Sequence, residues 1–239
     1  MRVTLLGTGD AIGTPKIGCS CPVCTFARAN GRQRLRSATL VEVGEKHILV
    51  DTGPDLRAQL LAAGSPHIDA VVWTHGHYDH FMGYGEFYRV QKVPPVYAAA
   101  PTMEYAGSVF SFLPLEEHIV EPYRPFLLFG AEITLFPVNH PPMPTYGVRV
   151  EHEGKVLALT ADTNAQIPRA SKECLSGADL LVLDAIVPDG FTITKHMNYA
   201  DALRLAEELA PAEFRCTHAS HLLPWDTPHL AVDMEQFDL

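Results

Sequence analysis

The chain has no long hydrophobic run, and it has fewer basic than acidic residues. No segment approaches the ~20 apolar residues that a transmembrane helix needs, and residues 1–7 are too short and too interrupted by glycine for a signal peptide. We therefore expect a cytoplasmic protein with no membrane partner. The 18 Lys and Arg against 28 Asp and Glu give a formal net charge of −10, which disfavours binding to a nucleic acid polymer, because basic side chains hold phosphate backbones.

Cysteine is scarce and odd in number. An odd count in a chain without a secretion signal argues against a disulfide framework. Three of the five cysteines fall within six residues, and the others are isolated and resemble ordinary core residues: Cys19, Cys21 and Cys24, then Cys174 and Cys216.

The strand and helix patterns predict an α/β (α+β) chain that forms one domain over residues 1–239. Strands adjoin each other without helices in residues 38–51 and 133–160, which suggests two mixed sheets with helices outside, a four-layer αββα sandwich. Helices are expected at 56–63, at 102–112 and, capped by Asn198, at 199–210. The predicted strands are 3–6, 38–43, 47–51, 70–74, 133–138, 146–150, 156–160, 180–183 and 213–217.

Four metal-binding side chains directly follow the apolar run at residues 68–74. These are His75, His77, Asp79 and His80. Imidazole and carboxylate groups suit zinc, manganese, iron and nickel, and such a cluster is costly to desolvate unless a cation compensates it. A single histidine here could equally be a capping or core residue, but four clustered titratable groups favour a metal site.

Three further polar residues each follow a strand-like run: His140, Asp162 and His218. Loops at the ends of strands in a rigid scaffold are a common place for chemistry. One metal takes about three or four protein ligands, so seven candidate ligands suggest two metals side by side.

The order and spacing of these residues resemble the signature of the metallo-β-lactamase superfamily. The resemblance implies that a water or hydroxide shared by the two metals is the nucleophile, and that Asp79 is essential to catalysis. Asp51, in Leu49-Val50-Asp51-Thr52-Gly53, matches a strand-end aspartate of that family and is expected to support a ligand from behind. The implied first metal lies on His75, His77 and His140, the second on Asp79, His80 and His218, and Asp162 bridges the two.

The cysteine cluster forms a second candidate metal site, in a zinc loop at about residues 18–25. Three thiolates leave a tetrahedral zinc one ligand short, and His221, three residues after His218, is a natural fourth. Three free cysteines are the alternative, although exposed, clustered thiols oxidise readily. We expect one structural zinc bound by Cys19, Cys21, Cys24 and His221.

The fragment Gly7-Thr8-Gly9-Asp10-Ala11, the cysteine cluster and Thr217-His218-x-x-His221 together resemble the PhnP-like phosphodiesterases. That family serves phosphonate catabolism by the carbon–phosphorus lyase pathway. The resemblance implies hydrolysis of 5-phosphoribosyl 1,2-cyclic phosphate or of 2′,3′-cyclic nucleotides, two catalytic metals (Mn, Zn, Ni or Fe) and a homodimer. The pyrroloquinoline quinone biosynthesis protein PqqB shares the cysteine pattern but not the full histidine cluster, and ranks lower.

His196, in Thr194-Lys195-His196-Met197-Asn198, matches the position of the family's acid histidine and is our candidate proton donor to the leaving group. The alternative is a surface histidine that precedes a helix. The basic segment of Arg28, Arg32, Arg34 and Arg36 is either a solvated surface or an anchor for a distal phosphate of the substrate.

Three rival functions use the same residues differently. A tRNA 3′-processing endonuclease also cleaves phosphodiesters, but the acidic charge counts against it. Hydrolysis of a lactam, thioester or lactone would use the metals to polarise a carbonyl, and the adjacent Asp79 and His80 disfavour the lactamases. A non-enzymatic carrier of a small metabolite would not need a complete set of ligands.

Overall fold

The strands form two mixed β-sheets in the computed structural model, which describes residues 1–239. The strands are β1 (Arg2–Gly7), β2 (Ala38–Val43), β3 (Lys46–Val50), β4 (Ala70–Trp73), β5 (Val96–Ala98), β6 (Glu117–Ile119), β7 (Phe126–Leu128), β8 (Ala131–Val138), β9 (Thr145–His152), β10 (Lys155–Leu159), β11 (Leu180–Asp184), β12 (Glu213–Thr217) and β13 (Glu235–Asp238). One sheet has seven strands in the order β13-β1-β2-β3-β4-β5-β6, and the other has six in the order β12-β11-β10-β9-β8-β7.

The helices lie in the connections between the strands. The α-helices are α1 (Pro22–Asn30), α2 (Leu56–Ala62), α3 (Tyr78–Phe81), α4 (Ala100–Thr102), α5 (Arg169–Leu175) and α6 (Tyr199–Leu209), with a 3₁₀ helix at Met82–Phe87 and a π-helical turn at Met103–Gly107. None of these helices has the length and apolarity needed to span a membrane.

Three apolar clusters define the layers. The largest has 22 buried residues from both sheets and fills the space between them. A second, of 18, lies under α2, the 3₁₀ helix and the π-helical turn, and a third, of 14, lies under α5 and α6. The order helix, sheet, sheet, helix confirms the predicted four-layer αββα architecture.

Strand β4 shows why the sequence forms these layers. Its four residues are all buried. Because side chains alternate across a strand, Ala70 and Val72 face the core between the sheets, whereas Val71 and Trp73 face the helical layer. Both faces are covered, so the strand reads as a continuous apolar run.

The structure confirms all nine predicted strands, with ends that differ by at most two residues, and adds β5, β6, β7 and β13. Helix α6 begins after Asn198, whose side chain accepts a hydrogen bond from the Asp201 backbone amide at 2.9 Å. The helix predicted at 102–112 begins earlier, at Ala100, and becomes a π-helical turn. Helix α1 was not predicted.

Strand direction brings the candidate ligands to one edge. Strands β10, β11 and β12 are parallel, and β8 runs in the same direction because β9 is antiparallel to both β8 and β10. In the other sheet, β3 and β4 are parallel. The loops that follow these strands carry the polar side chains of the candidate site.

Candidate metal centre

Three imidazoles meet where β4 and β8 end. The Nδ1 atom of His77 lies 3.1 Å from Nε2 of His75 and 3.1 Å from Nε2 of His140. The Oδ2 atom of Asp162 lies 3.6 Å from His75 Nε2 and 3.9 Å from His140 Nε2. All four ligand atoms fall within 4.8 Å of one another, close enough to share one ion.

A second group of four lies beside the first and includes the same aspartate. His80 Nε2 lies 3.3 Å from Asp79 Oδ2 and 3.4 Å from Asp162 Oδ2. His218 Nε2 lies 3.5 Å from Asp79 Oδ2 and 3.4 Å from Asp162 Oδ1. The two carboxylate oxygens of Asp162 therefore face histidines of both groups.

Two buried nitrogens show that these residues fit a divalent cation. The Nε2 atoms of His80 and His218 are buried among carboxylates, yet neither makes a hydrogen bond. A buried polar atom without a partner is costly. A cation at this point would satisfy both lone pairs and neutralise Asp79 and Asp162, as expected for zinc, manganese, iron or nickel.

The electrostatics divide the histidines into two kinds. Burial lowers the pKa of His75, His77 and His140, which keeps these imidazoles neutral and able to bind a metal. Burial would also lower the pKa of His80, but Asp162, Asp79 and Asp51 raise it well above its usual value.

The carboxylates are ionised for a related reason. Burial opposes ionisation of Asp162, but His218 and His80 hold its pKa well below the usual range. The carboxylates in turn raise the pKa of His218 to about 9 against the effect of burial. This side of the site is therefore built to hold positive charge.

Hydrogen bonds behind the ligands fix which nitrogen faces the centre. His80 Nδ1 donates to Asp51 Oδ2 at 2.7 Å, and His140 Nδ1 donates to the Lys195 carbonyl at 2.8 Å. Asp51 also accepts from the backbone amide of Thr74 at 2.9 Å and from its hydroxyl at 2.8 Å, and that hydroxyl lies 3.0 Å from His75 Nδ1. These contacts leave each Nε2 free for a metal.

The backbone is strained at three strand ends beside the ligands. Asp51, Ala161 and His218 have positive φ angles of 63°, 51° and 56°. Residues other than glycine seldom adopt this conformation, and it tends to cluster at functional sites.

His196 lies beside this centre. Its Nδ1 is 2.8 Å from Asp184 Oδ2, and its ring stacks on His218 with centroids 5.0 Å apart. Burial would lower the pKa of His196, but Asp184 raises it above its usual value. Asp184 was missed in the sequence, although it ends the apolar strand β11 just as Asp162 follows β10.

The structure also brings the cysteine cluster together with His221. Nδ1 of His221 lies 3.4 Å from Cys21 Sγ and 3.6 Å from Cys19 Sγ, and all four candidate ligands lie within 4.8 Å of one another. The segment is not entirely a loop, because Cys24 belongs to α1 and the Cys21 sulfur accepts from the Cys24 amide at the start of this helix. The hydrogen bond from His221 and the Cys24 amide lower the pKa of Cys21 to about 6.

Residues 46–219 match the family model described as the β-lactamase superfamily domain. The chain belongs to this superfamily. A solved structure described as a diphosphatase from the PhnP family superposes on it with a TM-score of 0.88 and 34% identity, covering 99% of this chain and 97% of that one. This identity over nearly all of both chains also places the protein in the PhnP family.

The chain is also similar to three other proteins. Coenzyme PQQ synthesis protein B of Methylobacterium nodulans is 29% identical over 223 residues, covering 78% of this chain and 73% of that protein. Zn²⁺-bound PqqB from Methylobacterium extorquens has a TM-score of 0.88 and 23% identity over the full length of both chains, which shows a shared fold. An octanoyltransferase of Porphyromonas gingivalis is 28% identical over 248 residues and 97% of this chain, which spans about half (48%) of its length.

These findings establish a metallo-β-lactamase-fold hydrolase, and the fold implies divalent metals. The ligand assignments of individual residues stay predictions. The structure brings each predicted ligand into one of the four-residue groups, with Asp51 directly behind His80 and His196 beside His218.

Two of the four residues in the arginine segment differ from both predictions made for it, whereas Arg28 and Arg32 are exposed, as the solvated-surface prediction expects. Arg34 is only 2% exposed, and its guanidinium donates to the carbonyls of Ser220, Leu223 and Pro224 at 2.8, 3.0 and 3.2 Å. Arg36 is bound to Asp55 at 3.1 Å. Neither guanidinium is a solvated surface group or is free to grip a phosphate.

Proposed function

We propose that the protein is a dinuclear metal-dependent phosphodiesterase that hydrolyses a small cyclic phosphodiester. The observation that carries the proposal is the position of Asp162, whose two oxygens face two adjacent groups of ligands. His196, a histidine whose pKa is raised, lies at the same edge of the sheets as Asp162.

His75, His77 and His140 would hold the first metal, Asp79, His80 and His218 would hold the second, and Asp162 would serve both. Divalent cations there would supply positive charge for the phosphate oxygens and lower the pKa of the attacking water.

The chain's own residues supply the proton for the leaving group. Attack of water forms a new P–O bond and breaks the ester P–O bond, so an alkoxide must be protonated as it leaves. His196 is proposed to donate this proton from Nε2, because Asp184 holds its Nδ1 at 2.8 Å. Asp184 is itself held by the Thr163 backbone amide at 2.9 Å.

The proposed proton donor also favours a phosphodiester over a diphosphate, which is an anhydride, as the substrate. The PhnP-family neighbour is a diphosphatase, and this makes hydrolysis of a diphosphate the second candidate function. A phosphate leaving group needs little help from an acid, whereas a sugar alkoxide needs it greatly. A buried Asp184–His196 pair therefore supports the phosphodiester.

The family resemblance supports two cyclic substrates, 5-phosphoribosyl 1,2-cyclic phosphate and the 2′,3′-cyclic nucleotides. A role in phosphonate catabolism would follow from the first. The net charge of −10 argues against tRNA, whose binding requires basic side chains. The proposal includes a homodimer and a structural zinc on the cysteine cluster.

Phosphorus NMR of manganese-loaded protein tests the proposal. The substrates are 5-phosphoribosyl 1,2-cyclic phosphate, adenosine 2′,3′-cyclic phosphate, bis(4-nitrophenyl) phosphate and ADP-ribose. We expect turnover of at least one cyclic phosphodiester, and the product resonance identifies which ester bond breaks. Turnover of ADP-ribose with no cleavage of any diester would favour the diphosphatase alternative.

A further inference from the structure

Cys21 and Cys24 are positioned to react with each other at the start of α1. They are the two ends of a Cys-x-x-Cys sequence, in which Cys21 is the N-cap of the helix and Cys24 lies in its first turn. Their sulfur atoms lie within 4.8 Å of each other. In helical geometry the Cα atoms of residues three apart are about 5 Å from each other, within the range that a disulfide spans.

The two thiols differ in their access to solvent. Cys24 is fully buried, and its sulfur accepts a hydrogen bond from the Lys16 backbone amide at 3.3 Å. Cys21 is half-buried and lies between the exposed residues Ser20 and Pro22. A small oxidant therefore meets Cys21 first, with Cys24 directly behind it. An accessible thiol beside a second thiol is the usual arrangement of a site that is oxidised reversibly.

We propose that a peroxide converts Cys21 and Cys24 reversibly into a disulfide, which releases the zinc of the cluster and weakens the second catalytic metal site. The disulfide goes beyond the proposed function, whereas its two consequences rest on the metal sites proposed there.

The oxidation takes two steps. The Cys21 thiolate attacks one oxygen of hydrogen peroxide, the O–O bond breaks, and the hydroxide that leaves takes up a proton to become water. The Cys24 thiolate then attacks the sulfur of the sulfenic acid on Cys21, forms the S–S bond and displaces a second hydroxide, which is also protonated. Two thiols and one peroxide thus give one disulfide and two waters, as two electrons pass from sulfur to oxygen. A dithiol reverses the reaction.

The disulfide removes two of the four groups that would hold the zinc. Cys19 and His221 remain, and two ligands are too few for a structural zinc, which takes four. Nδ1 of His221 faces the sulfurs of Cys19 and Cys21 at 3.6 and 3.4 Å. Loss of the zinc therefore releases His221 from the cluster.

A short, tightly bonded segment connects His221 to the catalytic centre. His218 lies three residues earlier, and both residues between them are held by backbone hydrogen bonds: the Ala219 amide donates to the Thr8 carbonyl at 2.9 Å and the Ser220 amide to the Ile186 carbonyl at 3.0 Å. His218 itself has a positive φ of 56°, a strained conformation that persists only where the surroundings enforce it. Because neither intervening residue is free to absorb a shift, movement of His221 changes the position of His218.

Differential thiol labelling of the zinc-loaded protein tests the disulfide. Hydrogen peroxide is added, free thiols are alkylated with a light reagent, and the protein is reduced and alkylated with a heavy one. The tryptic peptide 17–28 contains all three cysteines of the cluster. We expect the heavy label on Cys21 and Cys24 and the light label on Cys19, with one zinc per chain released to a chromogenic chelator. Heavy label on neither cysteine, or on another pair, would overturn the inference.

Manganese binding tests the connection to His218. Electron paramagnetic resonance of free Mn²⁺ during a titration gives the affinities of the two catalytic ions. We expect peroxide to lower the affinity of the second ion by roughly tenfold or more, the scale on which changes behind a metal ligand act. Dithiothreitol with added zinc should restore it. Unchanged manganese binding in protein that carries the disulfide would overturn the connection.

Two variants separate this effect from general oxidation. Cys174→Ser, at a cysteine outside the cluster, should respond to peroxide as the wild type does. Cys21→Ser should show no change in manganese affinity when peroxide is added, and a change as large as that of the wild type would overturn the inference. None of these measurements depends on turnover, so the inference and the proposed phosphodiesterase activity succeed or fail separately. A cluster that holds no zinc would contradict that part of the proposed function, and the label pattern would still decide whether the disulfide forms.

Discussion

The carboxylate of Asp184 lies 2.8 Å from Nδ1 of His196, and its other oxygen lies 4.0 Å from Nδ1 of His218. One buried aspartate thus faces both the proposed acid and a proposed metal ligand. Asp184 therefore connects the candidate metal centre to the proposed proton donor.

The first prediction concerns the proton donor. His196→Ala should lower kcat by about 10²- to 10⁴-fold on cyclic alkyl phosphodiesters and by less than about tenfold on bis(4-nitrophenyl) phosphate, because nitrophenolate needs no acid. Steady-state kinetics on both substrates measure this difference. His118→Ala, at a half-buried histidine on β6 that lies outside the site, is the control. Equal losses on both substrates would remove the acid role from His196.

The second prediction concerns the cysteine cluster. Cys21→Ser should lose one zinc per chain and lower the free energy of unfolding by about 3 kcal/mol, since metal binding stabilises the folded state. Serine is also a good helix N-cap, so the loss would report the metal rather than the cap of α1.

Elemental analysis and denaturant unfolding provide the measurements for this variant. Cys174→Ser, at a cysteine outside the cluster, is the control and should keep its full metal content. Unchanged zinc content in Cys21→Ser would show that the cluster is not a metal site.

The third prediction concerns Arg34, which connects the N-terminal segment to the loop carrying His221. Burial lowers the pKa of Arg34 to about 10, so it stays charged at neutral pH. Arg34→Met should lower the free energy of unfolding by about 3 kcal/mol, because three carbonyls lose a charged donor. Arg28→Met, at an exposed arginine of α1, should change it by less than about 0.5 kcal/mol. Equal free energies of unfolding for the two variants would show that Arg34 does not stabilise the contact between the N-terminal segment and the loop that carries His221.

The fourth prediction is a pH dependence of stability that arises from Asp233. Burial raises the pKa of this carboxyl from 3.8 to about 6, although it accepts hydrogen bonds from Thr8 and from the Leu35 amide. The folded state then binds more protons than the unfolded state between these values, so this group's contribution to stability falls as pH rises through that window.

Asp233→Asn removes the titration. The stability of the wild type relative to this variant should therefore fall by up to about 3 kcal/mol between pH 3.5 and pH 7. Denaturant unfolding of both proteins across this range measures the difference, in which contributions from other groups cancel. A difference in unfolding free energy that does not change with pH would show that folding does not raise the pKa of Asp233.

Local pattern was enough to predict much of the site. His75, His77, Asp79 and His80 lie in one loop after a continuous apolar strand, and the more distant ligands follow similar runs. Parallel strands then bring those loops to one edge without further information. The four-layer fold follows from the same alternation of apolar runs and helices.

Other features depend on contacts that no local pattern contains. The partners of Arg34 are backbone carbonyls 186 to 190 residues away, so its burial could not be read from the arginine segment. Helix α1 was missed because its N-cap is a cysteine, which is not a usual capping residue. Asp184 is a lone carboxylate, and only the fold shows that it meets His196.

Elemental analysis of the active protein tests the central claim most directly. The account predicts about two catalytic ions per chain in addition to the cysteine-bound zinc, as a two-metal phosphodiesterase requires. Asp162→Ala should lose both catalytic ions together with activity, whereas Asp79→Ala should lose one ion and also be inactive. A fully active wild type with one ion beside the cysteine-bound zinc, or an active Asp162→Ala variant, would contradict it.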